Sequence, residues 1–597
     1  MGREVMNEQT EAPLCSSNDL GPRINVTTVR EDLEEDRTYP ERTGPVKPAP
    51  IRWCDLPNKD QLFILSLCRL SEPLSNVCLL PYIFYLVRSV LPPSPPSSIP
   101  NLENDPSASP PPPPTPESAE ELGARISKFS GLLVAAFPLA QFLVSLPWGR
   151  LSDRHGRRFS IVAGLAVSVI ANVGFGFSRS IDALFFWRVL AGLANGNVGI
   201  MRTVTAEVVR ERKFQTKAFL LLPLVFNAGM VASLALGGCL AEPVVNLPGL
   251  FGSQGWFNAA GNPEGVQWAL DHPYALPALL NAAILGVSLL LAVLGLKETL
   301  PGKESQSDIG LKLGAVIKRR IKLKGRRRRR RQRASPESEE EYAMLIESSE
   351  DTFIGQTPPD PEKPDPTGTT AERRRRLPFR SLWTRRVLCA MVSFGLLPLH
   401  NSAFMHIFPV YLSSPPADNV EASMLAFTGG LGLRSSTIGI WLSVFGICGI
   451  LLQLFIYPRL QARIGTRGVF RIALFLFPVT YAAAPYLSLL SGDDEGALRW
   501  VCLGMVVCAQ IMARTMAIPS TVILLTEAAP SRTVLGTIHG AGNMLASLAR
   551  AVGPAIGGYV FAWGVEEGVI GLVWWMYLVI IAMCALAWSY ILDRDEE

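Results

Sequence analysis

Two charged side chains lie inside the first long apolar segment of the sequence. Arg69 and Glu72 are three residues apart, so they share one face of a helix. Glu72 lies about ten residues into the segment, or about 15 Å along a helix, where a charge in hydrocarbon is costly. A carboxylate there could bind and release a proton, with Arg69 and the loss of water setting its proton affinity. A structural salt bridge that fixes the helix among its neighbours explains the pair equally well.

A third charge, Arg188, lies near the start of another apolar segment. It is followed at helical spacing by Gly192, Gly196 and Gly199, which predict a close-packing seam. The arginine either takes part in function or serves as a buried counter-charge for a neighbouring helix.

Several polar side chains in the second half of the sequence are candidates to line a cavity. For each of them, hydrogen bonding between helices is the alternative role. These candidates are His400, Asn401, Gln510, Arg514, His539 and Asn543.

The residue patterns predict no metal or cofactor site. Six residues along a helix correspond to a net rotation of about 240° around its axis, so His400 and His406 would point in different directions, which makes them poor joint metal ligands. The ten cysteines include no CxxC pair. The sequence also lacks a nucleophile–base set and the GxxxxGK[ST] phosphate loop. Neither an enzyme nor an ATP-driven pump is therefore expected.

Long apolar segments dominate the chain and must position these side chains. Only 18% of its 597 residues are charged, against about 25% in soluble domains. Each apolar segment approaches the roughly 20 residues of a membrane-spanning helix. Their continuous apolarity excludes a barrel, and backbone hydrogen bonding then requires helices. We predict an all-α integral membrane protein with twelve helices, numbered 1 to 12, at 62–89, 127–148, 159–177, 182–206, 217–240, 273–296, 387–412, 435–457, 469–490, 498–525, 534–562 and 568–592.

Lys and Arg are concentrated in alternate connections between these helices. The segments 91–124, 241–272 and 414–432 contain none, whereas 297–386 contains successive arginines at 326–331. Positive residues mark the cytoplasmic side, so both termini are predicted to be cytoplasmic. We interpret the arginine run as a lipid-facing linker rather than a nucleic-acid patch.

The chain is thus predicted to form two six-helix bundles, as a monomer in the plasma or vacuolar membrane. No nucleic-acid partner is expected. The predicted parts are a disordered cytoplasmic tail at 1–61, a first bundle at 62–296, a disordered basic and acidic cytoplasmic loop at 297–386, a second bundle at 387–592 and a cytoplasmic tail at 593–597.

The segment between helices 2 and 3 carries the most specific motif. Its glycines permit close backbone approach and unusual φ angles. Its aspartate can accept hydrogen bonds from a helix N-terminus or pair with an arginine. A tight turn is predicted. The motif reads Gly149-Arg-Leu-Ser-Asp153-Arg154-His-Gly156-Arg157-Arg158. It resembles the signature loop of the major facilitator superfamily, G-x-L-x-D-R-x-G-R-[KR], at every defined position.

A second copy of this motif lies between helices 8 and 9. It keeps the turn and the positive charge, but Pro458 replaces Gly149 and Ala462 replaces Asp153. Such duplication is expected of a fold built from two six-helix halves. The second copy reads Pro458-Arg459-Leu460-Gln-Ala462-Arg463-Ile-Gly465-Thr-Arg467.

Further segments resemble the drug:proton antiporters of the tetracycline-efflux and zinc-induced-facilitator type, including their fungal relatives. The resemblance implies a proton-relay role for Arg188. The usual G-P-x-x-G-G of helix 5 is replaced here by Ser233-Leu234-Ala-Leu-Gly237-Gly238. The segments that carry the resemblance are Cys68-Arg69-Leu-Ser-Glu72-Pro73 and Pro81-Tyr82 in helix 1, Arg188 to Gly199 in helix 4, and Arg550 to Gly558 in helix 11.

This resemblance implies two pseudo-symmetric six-helix bundles and secondary active transport by alternating access, without a cofactor. We expect a small organic substrate, exported in exchange for protons across the lipid bilayer. Glu72, Arg69 and Arg188 are the candidates for proton coupling, and the loop 149–158 is the candidate for gating. A non-transporting receptor or sensor on the same fold and an uncoupled facilitator are the alternatives.

Overall fold

The computed structural model describes residues 56–92, 119–209, 211–300, 303, 310–316, 318–320, 383–416, 425–490, 496–530 and 535–591. The predicted tail at 593–597, most of the tail at 1–61 and most of the loop at 297–386 lie outside these residues. Within that predicted loop, residues 310–316 and 318–320 are helical.

The described residues form an all-helical membrane fold, which confirms the predicted fold class. Eleven stretches are long and apolar enough to cross a membrane, and one of these, Ser435–Leu490, contains two helices separated at Gly465. The twelve helices are Lys59–Val90, Ala119–His155, Arg157–Gly176, Ile181–Val208, Arg212–Leu240, Ala275–Gly295, Arg385–Ser413, 435–464, 466–490, Gly496–Ala528, Leu535–Glu566 and Val573–Ile591.

Helix 1 is interrupted rather than continuous. Its segments are Lys59–Arg69, Ser71–Asn76, Leu80–Tyr82 and Ile83–Val90. Pro73 and Pro81 lack the N–H that a continuous helix needs. Interrupted helices occur in membranes where their backbone is buried in protein or lines a cavity. Helix 1 therefore has the interrupted backbone that is typical of helices beside a substrate or ion site.

Helix 4 is interrupted as well, between Ile181–Ala194 and Asn197–Val208. At the break, the carbonyl of Asn195 accepts a hydrogen bond from Gln141 Nε2 of helix 2 at 3.0 Å. A neighbouring side chain thus satisfies a backbone group next to the break, as hydrocarbon requires.

Two glycine seams join the halves. Gly131 of helix 2 faces Gly558 of helix 11, and Gly238 of helix 5 faces Gly439 of helix 8. A Cβ on Gly131 would lie 2.5 Å from the Pro554 carbonyl oxygen. Because helices 2 and 8 occupy equivalent places in their bundles, as do helices 5 and 11, the seams are two copies of one contact.

The seams lie towards one end of the bundle, here called the far end, where helix 1 ends and helix 2 begins. The opposite end, where Gly156 joins helices 2 and 3, is called the loop end. At the far end, Tyr85 donates a hydrogen bond to the Leu433 carbonyl at 2.7 Å, and Asn246 donates to Ser435 at 3.2 Å. Towards the loop end, Gly199 and Gly540 each have open space beside them.

A valine at position 558 should force the first seam apart. A Cβ there would lie 2.8 Å from the Ser127 carbonyl oxygen, and overpacking of this kind costs about 1 to 3 kcal/mol. We expect Gly558→Val to lower the melting temperature of the purified protein, measured by differential scanning fluorimetry. The control is Gly286→Val in helix 6, where an added Cβ meets nothing within 4 Å. Equal melting temperatures would contradict the tight seam.

Candidate functional site

Glu72 connects the two halves at the middle of the bundle. Its side chain is buried, with only 4% of the side-chain surface accessible. Arg69 Nη1 lies 2.5 Å from Glu72 Oε2, and Arg550 Nη1 of helix 11 lies 3.6 Å from Oε1. The carboxylate is therefore shared between an arginine of its own helix and one from the other half.

Neutral side chains extend this pairing into a network that spans both halves. Arg550 Nη2 donates to Ser547 Oγ at 3.0 Å and to Gln141 Oε1 at 3.4 Å. Gln141 in turn binds the break in helix 4 at Asn195. The network thus joins helices 1, 2, 4 and 11, including both interrupted helices.

Positive charge exceeds negative charge around this centre. Glu72 is the one acidic side chain that is buried among the described residues. Arg202 of helix 4 adds a third guanidinium within electrostatic range of Glu72. The Arg69 guanidinium also lies over the Phe226 ring, 4.8 Å from its centroid. Ionised Glu72 offsets one of these charges.

Arg188 holds the interrupted part of helix 1 in place. Its guanidinium donates to the Ser75 carbonyl and, at 2.9 Å, to Asn76 Oδ1. It also lies over the Phe137 ring, 5.3 Å from the centroid. These partners differ from those of Glu72. The structure thus brings Arg69 into direct contact with Glu72. Arg188 of helix 4 contacts helix 1 about one helical turn beyond Glu72.

The loop motif is mostly helical, which corrects the predicted tight turn across its whole length. Helix 2 continues to His155, so Gly149 is a helical residue. Only Gly156 leaves the helix, with a φ of 118°. This angle favours glycine, and a Cβ would also lie 2.4 Å from Glu298 Oε2. The turn is therefore a single residue.

Glu298 caps helix 3 at this turn. Its Oε1 accepts from the backbone N–H of Arg157 at 2.9 Å, and its Oε2 accepts from that of Arg158 at 3.1 Å. A carboxylate is stabilised there by the unpaired N–H groups of the helix start. The sequence allows Asp153 either such a contact or a pairing with an arginine, and it does not indicate Glu298, which falls in the predicted linker.

Asp153 pairs with Arg157, which is the second of the two predicted contacts, and it remains largely exposed, with 67% of its side-chain surface accessible. Arg157 also lies 3.4 Å from Glu207 at the end of helix 4. The Arg154 carbonyl accepts from Lys303 at 2.9 Å, and Arg158 donates to the Val293 carbonyl at 2.6 Å. These contacts hold the loop to helices 4 and 6 of the first half.

The second copy of the motif repeats the turn. Gly465 has φ 73° and ψ 169°, and it separates helices 8 and 9 as Gly156 separates helices 2 and 3. An added Cβ on Gly465 would meet nothing within 4 Å. The duplication thus preserves the backbone turn, and among the residues that the structure describes no carboxylate lies against it as Glu298 lies against Gly156.

A second polar site lies where helices 5, 7, 8 and 10 meet. Arg514 is half-buried, and its Nη2 lies 2.8 Å from Met230 Sδ. Gln510, one turn away, donates to Asn401 Oδ1 at 3.2 Å. Of the predicted cavity residues, Gln510 and Arg514 line this cavity.

The remaining cavity candidates have other surroundings. His400 is fully buried in the second half, with Nδ1 2.8 Å from the Tyr481 hydroxyl. His539 Nε2 lies 3.0 Å from Thr526 Oγ1 near the loop end. The Asn543 carbonyl accepts from Ser547 within helix 11. The structure does not bring these three together with Arg514.

Comparison with known proteins identifies related chains. The family described as Major Facilitator Superfamily matches residues 83–429. The chain is 30% identical to the "Major facilitator superfamily multidrug transporter mfsB" of Aspergillus fumigatus, over 88% of this chain and 81% of that protein. It is 24% identical to "Protein ZINC INDUCED FACILITATOR 1" of Arabidopsis thaliana, over 73% and 76%. A solved "POT family transporter in complex with 5-aminolevulinic acid" shares the fold, with a TM-score of 0.51 and 12% identity over 91% of this chain and 97% of that one.

The two glycines of the loop motif should respond differently to substitution. Gly156→Ala adds a methyl group against Glu298 at a backbone angle that alanine rarely adopts, whereas Gly149→Ala adds it into open space. We expect the first change to lower the melting temperature and the second to leave it unchanged or slightly raised. Equal destabilisation by both would contradict the single-residue turn.

Proposed function

Because the chain belongs to the major facilitator superfamily, whose members are multi-pass membrane transporters of small molecules, we propose that it exports its substrate in exchange for protons. The two halves alternate between opening at the loop end and opening at the far end. The observation that carries this proposal is the buried Glu72, held between Arg69 of its own half and Arg550 of the other.

Protonation of Glu72 changes the attraction between the halves. When ionised, the carboxylate attracts Arg550 in surroundings where charges are poorly screened by water. When protonated, it loses this attraction and retains a hydrogen bond at most. One proton therefore alters a contact that has to rearrange when the halves rock, and this links proton binding to the direction of opening.

We infer that the conformation described here is closed at the far end and open at the loop end. The glycine seams and the contact of Tyr85 with Leu433 support closure at the far end. The open space beside Gly199 and Gly540 supports opening at the loop end. The Lys- and Arg-rich connections lie at the loop end, so we assign it to the cytoplasm. A substrate would enter from there.

The loop 149–158 braces the alternate conformation. In the present one Asp153 is exposed and its guanidinium partner lies in the same loop. The open space beside Gly149 leaves room for a helix of the other half to approach. Closure of the loop end would bring the second half to this surface and bury the Asp153–Arg157 pair.

Export of an organic molecule agrees with the names of the relatives. The Aspergillus fumigatus protein is called a multidrug transporter. The apolar lining of the cavity beside Arg514, which includes Phe404, Phe408 and Leu442, suits a substrate with an apolar body.

Proton coupling is tested with Glu72→Gln in the full-length protein, reconstituted into liposomes that contain a pH-sensitive dye. A panel of 2-naphthoate, 2-naphthamide and tetraphenylphosphonium serves as probes, and substrate-dependent proton flux is recorded. We expect the variant to lose this flux, because glutamine cannot exchange a proton. Arg550→Gln should also weaken coupling, because Glu72 then lacks its partner in the other half.

The control is Asp182→Asn, which removes a carboxylate from the first turn of helix 4, away from Glu72. It should transport protons normally. Proton flux that persists in Glu72→Gln at the wild-type level, after the flux through protein-free liposomes is subtracted, excludes Glu72 as the carrier. Probe flux that is indifferent to an uncoupler in the wild-type protein indicates an uncoupled facilitator, and binding without flux indicates a sensor.

A further inference from the structure

Arg514 is a cation without an acidic partner in the part of the chain that the structure describes. Its guanidinium lies against two thioethers, with Nη2 2.8 Å from Met230 Sδ and Nη1 4.0 Å from Met405 Sδ. A thioether is a weak acceptor, whereas a guanidinium carries five N–H donors. The present contacts therefore leave most of the binding capacity of Arg514 unused.

Gln510 is a second polar side chain that lines the same cavity. Its side chain is only 1% exposed, and its Oε1 has no hydrogen-bond partner among the described residues. Buried polar groups in native proteins are normally paired, so an unpaired amide oxygen indicates a missing donor, such as a water or a hydroxyl or N–H group of a ligand. Gln510 lies four residues before Arg514, hence on the same face of helix 10.

The remaining lining of this cavity is mostly apolar. Its neutral polar pair, Asn227 and Gln453, is joined across the halves by a hydrogen bond of 2.9 Å. The apolar side chains include Val231, Leu234, Phe404, Phe408, Leu442 and Ile511. Such a lining suits a ligand with a hydrophobic body and one charged or polar end.

The charges around the cavity indicate whether the charged end of the ligand is positive or negative. Phe226 and Met230 lie one turn apart on helix 5, and they contact Arg69 and Arg514 respectively. Two guanidinium groups thus flank one face of helix 5. Glu72, the buried acidic side chain nearby, is already paired with Arg69 and Arg550. A cationic ligand would meet uncompensated positive charge, and an anion would neutralise it.

We propose that this cavity binds an amphipathic organic anion. Its carboxylate, or a similar anionic group, displaces the thioethers from Arg514 and accepts two N–H bonds from the guanidinium. Its hydrophobic body packs between helices 5, 7 and 8. Paired bonds between guanidinium and carboxylate are short and strong. The inference rests on the proposed transport function, because it names the substrate class of that transport.

The test compares an anion and a neutral amide built on the same naphthalene body, together with a lipophilic cation. The full-length protein in lipid nanodiscs is titrated with 2-naphthoate, 2-naphthamide and tetraphenylphosphonium, and binding is measured by calorimetry. We expect 2-naphthoate to bind most tightly. Arg514→Gln should weaken 2-naphthoate about ten- to hundredfold and change 2-naphthamide by less than about twofold, as expected for loss of a hydrogen-bonded charge.

Two further variants separate charge recognition from packing. Arg514→Lys keeps the charge without the paired donors, so its affinity for 2-naphthoate should be intermediate. Arg499→Gln, at the far end of the same helix, removes a guanidinium that lies over Trp500 and should leave all three affinities unchanged. A purely structural Arg514 would give equal losses for all probes, which would overturn the proposal.

The proposal is also overturned if 2-naphthoate does not bind, or if 2-naphthamide or tetraphenylphosphonium binds as tightly. Its failure is distinguishable from that of the transport function. Proton flux driven by tetraphenylphosphonium without binding of 2-naphthoate leaves transport intact and removes the anion site. Selective binding of 2-naphthoate without any flux leaves the anion site intact and removes transport.

Discussion

The burial of one carboxylate among several guanidinium groups constrains the centre of this molecule. A lone charge at that depth would be expensive, and Glu72 is tolerated because Arg69 and Arg550 compensate it. One of the two partners comes from the same helix and the other comes from the opposite half. The ion pair is thus a condition for stability and also a contact that rocking of the halves must disturb. The interruption of helix 1 next to Glu72 brings backbone groups to the same place, and Arg188 binds one of them, the Ser75 carbonyl.

The two halves are copies in backbone and differ in charge. Gly156 and Gly465 make the same turn, and the two glycine seams are the same contact made twice. Asp153 and Glu298 are acidic side chains beside the first turn, whereas Ala462 replaces Asp153 at the second turn, and no described side chain lies within 4 Å of a Cβ built on Gly465. Duplication therefore accounts for the architecture, and the described copies of the turn differ in the side chains beside it.

The sequence predicts the fold class and the family, and both are confirmed. Long apolar segments and a complete loop motif are local features, so they can be recognised without knowledge of packing. The pairing of Arg69 with Glu72 follows from helical spacing in the same way. The pairing of Arg550 with Glu72 cannot be predicted from helical spacing, because the distance between them depends on how helix 11 packs on the first half. Glu298 was missed because its position at the end of helix 6 resembled the start of a linker. In the sequence, Arg514 and His400 are both polar residues in apolar segments. The rotation of their helices, which the sequence does not reveal, places Arg514 at the cavity and buries His400 within the second half.

The glycine seams have a mechanical consequence. Where two helices touch backbone to backbone, no side chains interlock, so one helix can tilt on the other without first separating ridges from grooves. Helix 11 extends about 35 Å from Gly558 to its start at Leu535, at about 1.5 Å per residue. A tilt of about 10° at the seam moves the distant tip by about 6 Å, given that lever length. A smooth hinge at one end of the molecule is thus enough to open a passage of molecular width at the other.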